Sequence, residues 1–292
     1  MEKLNLEKVL QKSLKTVSFF SKDLEAYLAH HLWFMPTKSK FLSDKEIVLL
    51  HQAQVHQSLF GVQVYSWLPA QKAVIPPPAI LFIHGWGGRW GQFREWIPLL
   101  LDKGFQVIAF DGPSHGYNPG LKTNLFEWSL VTLDIFKKFP NINQAVTHSF
   151  GSTVLMHALL KQPQLHDVVF VAPPARLDLL FERFQERLSI SDKAMRLHQE
   201  KFYQKFQDKD VKRLGSNFML IQQLKINGII IHDEDDLEVP YSEGQMLQEF
   251  WSHQVDSHVR LHATKGLGHN RILRSSDCIQ PAVDFLIREK KT

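Results

Sequence analysis

The chain has 292 residues, of which 44% are hydrophobic and 22% are charged, and its formal net charge is +4. This composition is typical of a globular protein with a large core and excludes a disordered chain, while the small net charge gives no reason to expect a nucleic-acid partner. Cys278 is the single cysteine of the sequence, so an intrachain disulfide is excluded. We interpret this residue as a core or surface thiol rather than as a nucleophile.

The beginning of the chain shows no targeting pattern. Charges occur throughout the first 25 residues, and no apolar run precedes a small-residue cleavage site, so we expect no secretory signal. No apolar stretch approaches the length of about 18 residues that a membrane-spanning helix needs. We therefore expect a cytoplasmic protein.

Residues 1–35 carry apolar side chains at helical spacing, with lysines between them. We predict a helical extension over residues 1–50 that packs on the remaining domain, residues 51–292. The alternative is a basic amphipathic helix that contacts a membrane. Four acidic residues weaken this alternative, namely Glu2, Glu7, Asp23 and Glu25.

The pattern after residue 51 predicts an α/β fold. Residues 53–68 indicate two strands joined near Phe60-Gly61, and a proline-rich connector over 73–78 precedes a series of apolar runs. The runs are "AILFIHG", "FQVIAFDG", "INQAVTHS", "DVVFVAPP", "INGIIIHD" and "HVRLHAT". Apolar runs of this kind suit strands that are buried on both faces, and helical segments between them predict a mainly parallel central sheet flanked by helices.

The interval after "VAPP" is too long for a simple crossover helix. About 50 residues separate it from "INGIIIHD", and they contain two segments with apolar side chains at helical spacing. We predict a helical lid inserted at about residues 174–218, over the ends of the strands. The alternative is an ordinary pair of surface helices. Four phenylalanines of this insertion could line a substrate pocket or pack the lid onto the body, namely Phe181, Phe184, Phe202 and Phe206.

A serine follows the third apolar run, at the point where a strand gives way to a helical segment. Ser149 lies between Thr147-His148 and Phe150-Gly151. A nucleophile elbow, written G-x-S-x-G, needs small residues on both sides of the serine because the turn is tight. Gly151 satisfies the second small position, whereas Thr147 departs from the first. The alternative is a serine that caps the N-terminus of the helix.

Two later strand ends carry groups that could activate such a serine. The run "IIIH" is followed by "DEDDLEVP", in which Asp236 is the best candidate for a carboxylate that orients a histidine, with Asp235 second. His269 lies in "GLGHN" after the last run, where glycines allow its loop to approach another loop closely. The alternatives are a solvated acidic turn and a structural histidine.

With these features the sequence resembles the α/β-hydrolase family over roughly residues 53–290. The order Ser149, Asp236, His269 is the order in which that fold places its catalytic residues. The motifs are "HGWGG" at 84–88, "FDGPSHG" at 110–116, "HSFG" at 148–151, "DEDDLEVP" at 233–240 and "GLGHN" at 266–270. A departure besides Thr147 is Asp233, which stands where the family commonly has glycine.

The resemblance implies an oxyanion hole and a substrate region. It implies that the backbone N–H groups of Trp86 and Phe150 stabilise a tetrahedral oxyanion. We expect Trp86, Phe181 and Phe184 to contact substrate. Asp111 and several histidines follow other strand ends, but their spacing matches no metal motif, so we expect neither a metal nor a cofactor.

The sequence therefore predicts a serine hydrolase that cleaves a carboxylic ester or a related acyl compound through an acyl-enzyme. Ser149 would be the nucleophile, His269 the general base and Asp236 the group that orients the imidazole. The expected partner is a small acyl substrate. A thioesterase, an amidase, an acyltransferase on the same triad and a non-catalytic ligand-binding protein remain as alternatives.

Overall fold

The structure, a computed structural model, describes residues 6–38, 41–70, 76–255 and 257–288. The first five residues of the predicted extension and part of the predicted connector at 73–78 lie outside these ranges. Within the described ranges, no helix combines the length and the apolar character that a membrane crossing requires.

An eight-stranded sheet forms the centre of the described molecule, and each predicted apolar run contains one of its strands. The strands are β1 (Gln54–Gln57), β2 (Gln63–Trp67), β3 (Ala79–Ile83), β4 (Gln106–Phe110), β5 (Ile142–His148), β6 (Asp167–Val171), β7 (Asn227–Asp233) and β8 (Val259–Thr264). Their spatial order is β1-β2-β4-β3-β5-β6-β7-β8. The pairs β1–β2 and β2–β4 are antiparallel, and all other pairs are parallel. The predicted fold class is confirmed.

Helices connect the strands and precede them. They are α1 (Leu6–Phe20), α2 (Lys22–Trp33), α3 (Asp44–Gln52), α4 (Trp96–Asp102), α5 (Leu125–Lys138), α6 (Phe150–Leu159), α7 (Leu177–Leu188), α8 (Asp192–Lys205), α9 (Val211–Leu214), α10 (Asn217–Ile221), α11 (Tyr241–Ser252), α12 (Gly268–Arg271) and α13 (Ser276–Ile287). Short 3-10 turns occur at Leu59–Gly61, Trp90–Phe93, Gln207–Lys209 and Ile272–Arg274.

Alternate side chains of the strands enter two hydrophobic cores, one on each face of the sheet. On one face, Leu81 and Ile83 pack with α5, α6, α10 and α11 around Trp128 and Trp251. On the other face, Ile80 and neighbouring side chains pack with α4 and α13. This two-sided burial explains why the strands are almost uninterrupted apolar runs.

The N-terminal helices differ from the single helical pattern expected over residues 1–35. The chain forms two helices, α1 and α2, and Ser21 lies between them. The Ser21 hydroxyl accepts a hydrogen bond from the Leu24 N–H at 3.2 Å and so caps the second helix. A serine at this position starts a new helix because its side chain replaces a backbone acceptor.

A third hydrophobic cluster joins the N-terminal helices to helices α7 and α8, which lie between β6 and β7. Trp33 of α2 is partly buried against this cluster, and its ring stacks on Phe181 of α7 at 4.6 Å between centroids. Phe202 of α8 contacts both rings edge-on. The predicted division into an extension, a main domain and a lid stays a prediction. The contacts show that the helices of the predicted extension pack against those of the predicted lid.

Candidate active site

Ser149 occupies a strained turn between β5 and α6. Its backbone has φ 50° and ψ −124°, in a region that residues with a side chain rarely adopt. The Ser149 N–H donates to the Val171 carbonyl at the end of the neighbouring strand, at 2.9 Å. Strain of this kind is characteristic of a nucleophile elbow, in which the sharp turn exposes the serine hydroxyl above the sheet.

The Ser149 side chain does not cap helix α6. Ser149 holds the N-cap position, but its hydroxyl accepts no capping hydrogen bond. Three other N-cap serines do accept such bonds, namely Ser21, Ser191 and Ser275. The alternative that the Ser149 hydroxyl caps the N-terminus of helix α6 is therefore not supported.

Two glycines allow the turn to approach strand β3. A Cβ added at Gly151 would collide with the carbonyl oxygens of Ile83 and His84. A Cβ added at Gly85 would lie 3.0 Å from the Ser149 Cβ. Thr147, the departure from the family pattern, lies inside β5 with its side chain buried, and its hydroxyl has no hydrogen-bond partner in the described part of the chain.

Asp236 and His269 form a buried hydrogen-bonded pair. The Nδ1 of His269 lies 2.7 Å from Oδ2 of Asp236. The other carboxylate oxygen, Oδ1, accepts from the N–H groups of Glu238 and Val239 at 2.8 and 2.9 Å. Burial alone would raise the pKa of Asp236, but hydrogen bonds, those of His232 and His269 first, hold it below its usual range. The carboxylate is therefore ionised, so the imidazole Nδ1–H donates to it.

The alternative carboxylate, Asp235, does not reach the histidine. Asp235 is exposed, and its Oδ2 accepts from the Gly266 N–H at 3.0 Å. In the neutral imidazole of His269 the single ring proton lies on Nδ1, which donates it in the hydrogen bond to Asp236, so Nε2 retains a lone pair. This is the tautomer that a general base requires.

Ser149 and His269 lie at the same edge of the sheet but share no hydrogen bond among those of the described residues. The link between them passes through His148, whose Nε2–H donates to the His269 carbonyl oxygen at 2.9 Å. The two imidazole rings are 4.6 Å apart between centroids. Burial, with the nearby His269, lowers the pKa of His148 to about 3, so this linking imidazole is neutral.

Asp233 fixes the loop that carries His269. Its Oδ2 accepts from the Thr264 hydroxyl at 2.8 Å and from the Leu267 N–H at 3.1 Å, and its Oδ1 accepts from the Gly268 N–H at 2.9 Å. Burial would raise the pKa of Asp233, but these bonds lower it below the usual value. The residue that departs from the family pattern therefore holds the histidine loop in place.

The segment of residues 84–90, which we call the glycine loop, lies beside Ser149. Trp86 is 36% exposed, and its ring is 5.5 Å from that of Phe150. Among the hydrogen bonds of the described residues, the N–H groups of Trp86 and Phe150 have no acceptor. Both predicted oxyanion donors are thus free to bind a ligand oxygen.

Two neutral histidines hold the glycine loop. The Gly112 N–H donates to Nε2 of His84 at 2.9 Å, and Nδ1 of His84 lies 2.7 Å from the Gly85 oxygen. The Gly87 N–H donates to Nε2 of His115 at 3.0 Å. Burial lowers the pKa of His115 to about 4 and that of His84 well below its usual value. These histidines, considered from the sequence as metal ligands, are occupied with loop contacts.

The remaining predicted residues lie elsewhere. Phe181 is 1% exposed and, like Phe184, packs against Trp33 of the N-terminal helices. Their predicted contact with substrate stays a prediction. Among the described residues, no group of three histidine, cysteine or acidic side chains is arranged to hold a metal ion.

Sequence reasoning did not identify the partners of three side chains that shape the site. His148, Asp233 and His115 each make contacts between loops that are far apart in the chain. The available signal was their position directly after an apolar run or inside a quoted motif. That signal marks proximity to the strand ends, but it does not identify the partner.

A family model described as alpha/beta hydrolase fold matches residues 78–219. This match and the sheet order together define the class of fold. The chain has the α/β-hydrolase fold.

Individual relatives are more distant. A pimeloyl-[acyl-carrier protein] methyl ester esterase of Methylococcus capsulatus is 33% identical over 88 residues, which are 30% of this chain and 33% of the relative. The chain thus spans about a third of that relative's length. The solved esterase Pf2001 of Pyrococcus furiosus superimposes with a TM-score of 0.63 at 16% identity, over 86% of this chain and 95% of the other. Est1E of Butyrivibrio proteoclasticus gives 0.60 at 14% identity, over 81% and 100%. Identities this low show the shared fold alone.

Proposed function

We propose that the protein is a serine hydrolase that cleaves a carboxylic ester or a related acyl compound. The observation that carries the proposal is the Asp236–His269 hydrogen bond of 2.7 Å at the same sheet edge as the strained Ser149 turn. A relative named as a methyl ester esterase supports an ester as substrate.

In the proposed reaction, Nε2 of His269 accepts the Ser149 proton while the hydroxyl oxygen attacks the substrate carbonyl. Asp236 holds the imidazole tautomer and stabilises the imidazolium that forms. The free N–H groups of Trp86 and Phe150 donate to the oxyanion, and loss of one such donor typically raises the barrier by about 2.7–4 kcal/mol. His269 then returns the proton to the leaving alcohol, and water releases the acid from Ser149.

The sharpest test compares two serine substitutions. Ser149→Ala removes a hydroxyl that caps nothing, so we expect loss of p-nitrophenyl ester hydrolysis and of fluorophosphonate labelling, with an unchanged melting temperature. Ser275→Ala removes a hydroxyl that caps α13. This control should lose about 1 kcal/mol of stability and keep full activity. Equal hydrolysis by the Ser149→Ala variant would refute the proposal.

The second candidate function is a ligand-binding protein that lacks turnover. It is favoured by one observation, that Ser149 and His269 share no hydrogen bond in the described structure. Catalytic hydrogen bonds are often long without substrate and tighten only in the complex, so the hydrolase remains the first candidate. Folded wild-type protein that binds an acyl compound but is never labelled by a fluorophosphonate would favour the binding protein.

A further inference from the structure

A buried carboxylate from the N-terminal helices lies against the glycine loop. Glu46, in the first turn of α3, is 2% exposed. Its Oε2 accepts from the Ser43 N–H at 2.6 Å and from Nη2 of Arg89 at 2.6 Å. Since Arg89 belongs to the glycine loop, this ion pair joins a helix of the predicted extension to the loop that would bind the oxyanion.

The contact involves the backbone as well as the charges. A Cβ added at Gly91 would collide with Oε1 of Glu46, so the carboxylate packs directly on the chain that leaves the glycine loop. Arg94 provides a second cation 3.7 Å from the same oxygen. Together these contacts fix the C-terminal end of the loop.

The segment that precedes α3 contacts the loop at a second and a third point. The Phe41 carbonyl accepts from Nη2 of Arg89 at 2.6 Å. A Cβ added at Gly87 would lie 2.7 Å from the Thr37 hydroxyl oxygen. Thr37 and Phe41 therefore contact the glycine loop, in addition to Glu46.

The ion pair is built to remain charged. Burial would raise the pKa of Glu46, but the bonds from Ser43 and Arg89 hold it below its usual value. Arg89 is also largely buried. Removal of one partner of such a pair leaves an uncompensated buried charge on the other, which must move to find solvent or a new acceptor.

We propose that Glu46 is a positioning residue for the glycine loop. By fixing the Arg89 guanidinium it sets the direction of the Trp86 N–H, three residues earlier, toward the oxyanion. The N-terminal helices then position the glycine loop of the site, in addition to packing on the rest of the protein. This inference rests on the proposed hydrolase function.

The test is Glu46→Gln, which keeps the side-chain shape and removes the charge. We expect kcat for a p-nitrophenyl ester to fall about tenfold or more while KM changes little, because the donor acts mainly in the transition state. The affinity for an alkylboronic acid, whose tetrahedral adduct resembles that state, should fall by a similar factor. A smaller fraction of folded enzyme would also lower the apparent kcat at unchanged KM, but it would leave the boronic acid affinity of the folded molecules unchanged, so this affinity separates the two explanations.

The matched control is Glu25→Gln. Glu25 is also a fully buried carboxylate of the N-terminal helices, and it accepts from the Ser191 N–H and hydroxyl. Its hydrogen bonds do not include the glycine loop, so this variant should lose thermal stability but keep kcat. Arg89→Gln should reproduce the kcat loss, and the double variant with Glu46→Gln should lose no more than the larger single loss, since both act through one contact.

Each outcome is decisive. A Glu46→Gln variant with wild-type kcat and boronic acid affinity, but a lower melting temperature, overturns the positioning role. If this variant does not fold, Arg89→Gln decides in its place, and wild-type kcat there overturns the inference. If the unmutated protein shows neither turnover nor fluorophosphonate labelling, the proposed function and this inference fail together. Failure of the positioning role alone is different, because the unmutated protein is then active and only the variants reveal it.

Discussion

Asp233 and Asp236 lie three residues apart and hold the same histidine by different routes. Asp236 bonds the imidazole of His269 directly, whereas Asp233 bonds the backbone N–H groups of the loop before it. One carboxylate orients the ring and the other places the chain that carries it. The two effects can be separated by substitution.

Asp236→Asn should lower kcat by about 10⁴-fold while the protein stays folded, because an amide that donates to Nδ1 stabilises the wrong imidazole tautomer. The measurement is ester turnover, with circular dichroism to verify the fold. Glu238→Gln is the control, since Glu238 is exposed and its side chain accepts a hydrogen bond from the Asn270 amide rather than from the imidazole. Turnover of Asp236→Asn within tenfold of the unmutated protein would contradict the assigned role.

Asp233→Asn should destabilise the protein by about 1–3 kcal/mol, because the amide cannot accept hydrogen bonds at both of its terminal atoms and buried donors lose their acceptor. Kcat should fall as well, since the His269 loop is released. Urea unfolding and ester turnover measure the two effects. Asp235→Asn changes an exposed side chain whose single bond from the Gly266 N–H the amide oxygen can still accept, so stability should shift by no more than about 0.5 kcal/mol. Equal behaviour of the two variants would mean that Asp233 does not hold the loop.

At the residue scale, the sequence indicates groups that follow a strand but not the partners that they find. Ser149, Asp236 and His269 could be predicted because each follows an apolar run whose C-terminal end must lie at one edge of a parallel sheet. Glu46 could not, because its partner Arg89 is 43 positions away. Local pattern carries no information on such a pairing.

At the scale of elements, helix α6 depends on its close approach to strand β3. Gly151→Ala would ordinarily stabilise a helix by up to about 1 kcal/mol, but here the added Cβ meets two carbonyl oxygens. We expect a net loss of stability and of ester turnover, because the collision moves the Ser149 turn away from the glycine loop.

The control for this substitution is Gly104→Ala. Gly104 has φ +83°, but an added Cβ there meets no atom within 4 Å. This variant should lose stability through backbone strain alone and keep its turnover, which separates strain from collision. Gly151→Ala with unchanged stability and turnover would show that the elements move apart at no cost.

The order of elements was predictable and their boundaries less so. The alternation of apolar runs with helical segments predicts the parallel sheet. The sequence does not indicate the break between α1 and α2, because apolar spacing continues across Ser21, whose extended backbone and capping bond to Leu24 start the second helix. The aromatic contacts of Phe181 with Trp33 depend on tertiary packing, for which helical spacing gives no partner.

On the scale of the whole molecule, burial of histidines makes stability depend on pH. Burial is the main cause that lowers the pKa to about 4 in three of them and to about 3 in two. The first group is His30, His115 and His157, and the second is His148 and His198. A histidine of the unfolded chain has a pKa of about 6.5, so between about pH 6.5 and 4 the unfolded chain binds more protons than the folded one.

The free energy of unfolding should therefore fall steadily as the pH is lowered from about 6.5 to about 4, and urea unfolding between these limits measures it. Asp111 opposes the trend, because burial raises its pKa to about 6 and the folded state binds its proton first. One carboxyl group does not offset five histidines. His157→Leu should make the dependence shallower by about one proton. Constant stability between about pH 7 and pH 5 would contradict this account.

The stack of Trp33 on Phe181 has a mechanical consequence. Helix α7 cannot move independently of helix α2, because the Phe181 ring of α7 is stacked on the Trp33 ring of α2. Any outward excursion must either break that stack or carry α2 with it.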